Sequence, residues 1–172
     1  AGEVPALHAF AHTLGSGVLN TWGAKGIFHW RSRYHWATLG LQEGDFRLAG
    51  VDGADLVIGV GVDDREAPDR HWKHAPHVSL DPVLLGPLAE RVAPRPPDPD
   101  MPPLRVRLAA ATQSGWSSNG TPMPPSLATL HYGRRLAGGG LVAADAGTSG
   151  FWVARTFATT ELGTGAGPPY AD

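Results

Sequence analysis

The apolar run Leu56–Val60 is followed by Gly61, Asp63, Asp64 and Arg65 in the stretch ADLVIGVGVDDREAPD. A strand over that run delivers those residues to the C-terminal edge of a sheet, where open α/β sheets bind ligands. A carboxylate there can accept hydrogen bonds from ribose hydroxyls, and glycine lets a phosphate approach the backbone. Asp81 closes the next strand candidate, 77–81, and falls on the same edge. The same residues also read as a turn at Gly61 with its charges facing water. The Gly-x-Gly-x-x-Gly dinucleotide pattern lacks its third glycine in GVGVDD, which weighs against a dinucleotide.

Two further stretches have types and spacing suited to anions. In TWGAKGIF, Gly23 and Gly26 permit close backbone approach and Lys25 is placed to meet a phosphate; a structural turn explains the glycines equally well. In DAGTSGFW, a strand leads into a helix, so Gly147, Thr148 and Ser149 present amides and hydroxyls at a helix start, as an anion site or an N-cap cluster. His71, His74 and His77 are spaced three apart, but Pro76 interrupts the helix that would align them and no carboxylate completes a metal set. His8 and His12 are expected on the solvated flank of the first helix. No Gly-x-Ser-x-Gly elbow occurs, and Asp63–Asp64 is an adjacent pair, so neither nucleophilic hydrolysis nor paired-carboxylate chemistry is supported. With no cysteine, disulfides, thiol catalysis and Cys-based zinc sites are excluded.

The elements that must position these residues follow from periodicity. Apolar positions Val4, Leu7, Ala11 and Leu14 predict a helix over 3–14, with Pro5 in its first turn and Gly15 at its end. GVLNTW predicts a strand. Residues 29–40 are aromatic and basic and predict a loop with a short helical piece. After the strands at 56–60 and 77–81, PVLLGPLAERV has helical spacing interrupted by Gly86 and Pro87. Residues 94–103, PRPPDPDMPP, are mostly proline and read as a linker. Beyond it, LRVRLAAAT is helical or extended and SGWSSNGTPMPP is loop. SLATLHYGRRLAG is a helix with Ser126 as N-cap and Gly138 near its end, GLVAADAG a strand, TSGFWVARTF a helix, and the tail irregular. The expected fold class is α/β: a Rossmann-like three-layer domain with a mainly parallel sheet, lacking its first strand because the chain opens on a helix. The expected divisions are 1–93, a linker over 94–125, and a second unit over 126–172.

Composition is globular, with 23 glycines and 16 prolines indicating many turns. Net charge is −2 with no basic stripe, which argues against nucleic acid, and no apolar stretch is long enough to span a membrane. The expectation is a cytoplasmic protein. Trp22, Trp30, Trp36 and Trp72 crowd the first half; if flanking domains are missing, some of these rings should be exposed and favour self-association.

Taken in order, LNTWGAKGIF, HWATLGLQEGD, ADLVIGVGVDDREA and HVSLDP resemble the central domain of thiamine diphosphate-dependent enzymes of the acetolactate synthase, pyruvate decarboxylase and oxalyl-CoA decarboxylase group. LHYGRRLAGGGLVAADAGTSGFWVARTF is similar to the start of their diphosphate-binding domain. The resemblance implies a subunit with a pyrimidine-binding domain carrying an activating glutamate, a six-stranded central domain, and a domain holding diphosphate and Mg2+ through Gly-Asp-Gly and a later Asn. It implies FAD or ADP at the VDDRE loop in some members, and diphosphate contacts from the residues matching Gly147, Thr148 and Ser149. This sequence has no pyrimidine domain and no Gly-Asp-Gly. The expectation is therefore a fragment acting on 2-oxo acids only within a larger enzyme, whose missing domains are its partners. It would homo-oligomerise, be inactive alone, and bind no thiamine diphosphate by itself. The alternatives are a free-standing FAD, ADP or NAD module, or a purely structural one.

Overall fold

The strands of the chain come in parallel pairs, each joined by a crossover, because two adjacent parallel strands cannot be linked by a tight hairpin. The computed structural model describes residues 3–42, 44–97, 102–136, 140–145, 147–162 and 165–166. Helix α1 spans Val4–Leu14, with Pro5 in its first turn and Gly15 in the left-handed conformation closing it. Strands β1 (Val18–Asn20) and β2 (His35–Thr38) pair in parallel, Leu19 opposite Ala37 and Asn20 opposite Thr38. Helix α2 is the single turn Asp45–Leu48. Strands β3 (Val57–Val60) and β4 (His77–Leu80) pair in parallel and in register. Helices α3 (Leu85–Arg91), α4 (Pro103–Trp116) and α5 (Pro125–Arg135) follow. Then come β5 (Val142–Ala143), α6 (Thr148–Thr156) and β6 (Gly165–Ala166), with β5 parallel to β6. The protein is thus α/β with short parallel pairs; among the described residues these form three two-stranded sheets.

Several local expectations are corrected. The segment 29–40 contains strand β2 rather than a helical piece. Its Ala37 and Thr38 are buried and bond to β1, a pairing that the aromatic and basic flanks of the segment conceal. Gly86 and Pro87 do not interrupt α3, because they fall in its first turn, where the proline nitrogen has no bond to lose. Helix α4 continues through Ser114–Trp116, expected as loop. Ser126 is not an N-cap: Pro125 opens α5 with a preset φ, placing Ser126 inside the first turn, where it is buried. Gly138 lies outside the described residues.

The core gathers Ala37 in β2 and Leu39 just after it, Phe46 and Val51 around α2, and Trp72 before β4. Leu104, at the start of α4, belongs to the same cluster. Packing therefore continues across the proline-rich stretch, whose Arg95 amide also donates to the Thr13 carbonyl at 2.8 Å. Residues 98–101 of that stretch lie outside the described residues.

The tryptophans are not left bare. Trp72 is buried, and Trp22, Trp30 and Trp36 are half-buried. Three of the rings pack closely against glycines: Trp36 against Gly17, Trp72 against Gly59 and Trp22 against Gly150. A side chain at any of these glycines would occupy the space of the indole.

Candidate functional site

The parallel register sets Val60 opposite Leu80, so the residues that follow, Gly61 and Asp81, stand side by side at one sheet edge. Gly61 turns the chain with φ +56, a conformation costly for a side-chain-bearing residue. Asp63, Asp64, Arg65 and Asp81 are all exposed there. Two of the carboxylates are already engaged by backbone. Asp63 Oδ1 accepts the Arg65 amide at 2.8 Å, and Asp81 Oδ1 accepts the Val83 amide at 3.0 Å, capping the turn after β4. The second oxygen of each carboxylate makes no intramolecular hydrogen bond among the described residues.

Beside this edge lies a cleft of about 240 Å³ between the β2–α2 turn and the segment after β3. Of the residues singled out in the sequence, Arg65 and His71 line it. Arg70 adds another basic side chain, and the His71 ring stacks on Phe46 with centroids 5.3 Å apart and planes 16° from parallel. Asp45 holds the facing turn by accepting the Leu41 and Gln42 amides, each at 3.0 Å. Glu66 braces the opposite wall: both carboxylate oxygens accept the Gly23 amide at 3.1 Å. The lining thus brings the Phe46–His71 pair together with Arg65 and Arg70. The sequence carries no sign of Phe46 or Arg70 here, and it points to His71 only as a member of the spaced histidine set. Their signal was weak, because they lie in two separate segments joined only by tertiary folding.

The glycine-flanked Lys25 is placed differently from the sequence expectation. Its side chain is buried rather than offered to a phosphate, and burial followed by the nearby Arg155 charge pulls its pKa down to about 8. His35 on β2 is pushed down to about 4 by burial, then by Lys25 and Arg105. The Arg105 guanidinium donates to the backbone carbonyls of Ser32 and His35. Burial lowers the Arg105 pKa as well.

The three spaced histidines do not converge. His71 stacks on Phe46, His74 pairs with Asp52 at 2.8 Å, and His77 bonds the Ala75 carbonyl at 2.9 Å. No cluster able to hold a metal ion occurs among the described residues. His8 is not on a solvated flank either: its Nε2 meets the Ile27 carbonyl at 2.5 Å and its ring lies on Phe28.

Gly147, Thr148 and Ser149 form the exposed start of α6. Gly147 has φ +153 and ψ −161, a conformation that favours glycine, and neither hydroxyl caps the helix. This turn suits an anion by its amides and hydroxyls. For Mg2+ the described residues supply only Asp145 nearby, without a ligand set.

No protein-family model matches the chain, and no curated protein is detectably similar to it. No described helix is long and apolar enough to cross a membrane.

Proposed function

We propose that the chain is the central part, with the opening of the diphosphate-binding part, of a thiamine diphosphate-dependent enzyme acting on 2-oxo acids, and that its own ligand is an adenine nucleotide such as ADP. The observation that carries the ligand is the cleft beside β3, where Arg65 and Arg70 adjoin the Phe46–His71 stack. In this reading the aromatic pair takes a base or ribose face and the arginines take phosphate. The volume of about 240 Å³ is below the roughly 300–1,000 Å³ of sites that enclose a drug-sized ligand. It accommodates part of a nucleotide, which favours ADP over the larger FAD or NAD. The parallel strand pairs are compatible with a Rossmann-like three-layer domain in the full enzyme. Thiamine diphosphate would supply the carbon–carbon chemistry there, with Gly147, Thr148 and Ser149 contacting its diphosphate and other domains supplying the Mg2+ ligands.

The second reading is a scaffold without a ligand. It is favoured by the engagement of Asp63 and Asp81 in backbone bonds, which stabilises the strand-end turns whether or not a ribose is present. Thermal unfolding with ADP, FAD, NAD, or thiamine diphosphate plus Mg2+, one at a time, separates the readings. ADP at about 100 times its Kd should raise Tm by about 5–10 °C. Arg65→Ala should abolish that shift without lowering the ligand-free Tm. The absence of any shift leaves the scaffold.

A further inference from the structure

Lys25 and Asp45 are the two buried charged side chains among the described residues. Asp45 is fully engaged: one oxygen takes the Arg155 guanidinium and the other takes the Leu41 and Gln42 amides. Lys25 is not. Its amine has no hydrogen bond or ion pair among the described residues, and its charged neighbours are cations. The charge of Arg155, which is anchored on the Thr38 carbonyl at 3.1 Å, acts on it directly, and His35 feels the charges of both Lys25 and Arg105.

The acids of the segments packed around Lys25 are engaged or turned outward. Asp45 belongs to Arg155, Glu66 is held on the Gly23 amide, and Asp145 and Glu161 are exposed, with only the backbone carbonyl of Glu161 against Gly26. At the same strand ends Asn20 is buried. Its amide donates to the Thr38 hydroxyl at 3.2 Å, while its Oδ1 has no partner among the described residues. The polar layer at the C-terminal ends of β1 and β2 therefore lacks an anion for its cations and a donor for this oxygen. Open parallel sheets take their ligands at that edge.

We propose that Lys25 is a carbon dioxide-binding residue, carboxylated on Nζ to a carbamate. The lone pair of the neutral amine attacks the carbon of CO2, a C–N bond forms, and one C=O electron pair moves onto oxygen. One proton leaves the nitrogen for solvent, giving –NH–COO−. No oxidant, reductant or further substrate is needed. The product turns a buried cation that repels Arg155 into an anion that attracts it, and it keeps one N–H as a donor. Two properties of the site favour this step. The side chain is 4 % exposed, which admits a linear three-atom molecule and shuts out larger carbonyl compounds. Burial and Arg155 also bring the amine to a pKa of about 8, so about half is neutral at pH 8, against roughly one in 300 for an ordinary lysine.

The chain carries an internal control, because its one other lysine, Lys73, holds Asp69 at 2.6 Å. The unaltered chain is equilibrated at about pH 8 with carbon-13 bicarbonate, carbamates are trapped as alkyl esters with a trialkyloxonium salt, and the peptides are mapped by mass. The adduct should fall on Lys25 and not on Lys73. Without trapping, a carbon-13 carbamate resonance should be present in the parent and lost in Lys25→Met, and at fixed dissolved CO2 it should grow as the pH is raised from about 7 to about 8.5. At about ten times the half-saturating CO2 concentration, Tm should rise by about 3–6 °C in the parent and not in Lys25→Met. No adduct on Lys25, an equal adduct on Lys73, or a carbon-13 spectrum unchanged by Lys25→Met would overturn the proposal. The trapping experiment uses the unaltered chain and decides the matter even if the variant misfolds.

Discussion

Arg155 of α6 and Asp45 of α2 form an ion pair of 2.5 Å buried on both sides, 110 residues apart in sequence. The same guanidinium donates to the Thr38 carbonyl at 3.1 Å, at the end of β2, while the other Asp45 oxygen caps the Leu41–Gln42 turn. One pair thus ties the last described helix to the wall of the cleft. Arg155→Met should destabilise the chain by about 3–5 kcal/mol, because it leaves the Asp45 carboxylate buried without its partner. Urea unfolding measures this. A loss below 1 kcal/mol would mean that the pair is solvated in solution.

The indole-on-glycine contacts predict a contrast between two alanine substitutions. At Gly59 a Cβ would stand 2.7 Å from the Trp72 ring, whose Nε1 is pinned to the Ala67 carbonyl at 3.1 Å. Gly59→Ala should cost about 1–3 kcal/mol through overpacking. Gly133, inside α5, has open space where a Cβ would go. Gly133→Ala should gain about 0.5–1 kcal/mol by restricting the unfolded chain. Equal effects at the two sites would contradict this account of the Trp72 packing.

His35 makes the fold sensitive to acid. Its folded pKa is about 4, against 6.5 in the unfolded chain, so between those values the unfolded state binds the extra proton. Stability is therefore full above pH 6.5 and falls as pH drops towards 4, by up to about 3 kcal/mol from this residue. Thermal melts of the parent and His35→Gln, compared from pH 7 to pH 4, should show a shallower acid slope in the variant. Parallel slopes would count against the assignment.

Legibility in the sequence followed the range of the interaction. Helix α1 and strands β3 and β4 were readable because apolar spacing, Pro5, Gly15 and Gly61 are local signals. The adjacency of Gly61 and Asp81 followed from parallel strand logic alone. Strand β2 was obscured, since its four residues HWAT lack alternation and its place is set by hydrogen bonds to β1. The Phe46–His71 stack joins segments 25 positions apart in sequence, and the Arg155–Asp45 pair is more distant still. Lys25 was misplaced for the same reason: its flanking glycines indicate a turn, while its burial is decided by the fold around it, including Arg155.

That burial gives the last prediction. Lys25 titrates near pH 8 in the folded chain and at 10.5 when unfolded, so between these values the unfolded state holds more protons. Below about pH 8 both states are charged and the folded state bears the whole penalty of a buried ammonium near Arg155, about 3 kcal/mol. Raising the pH from 8 towards 10.5 relieves that penalty, so this residue makes stability rise with pH in that window. Lys25→Met keeps most of the volume and removes the charge. It should stabilise the chain at pH 7, and the difference from the parent should shrink as pH approaches 10. Denaturant midpoints of both proteins at pH 7, 8, 9 and 10 test this. A gain constant with pH would show that packing, not charge, sets the effect, and a loss at every pH would show that the ammonium is stabilised where it lies.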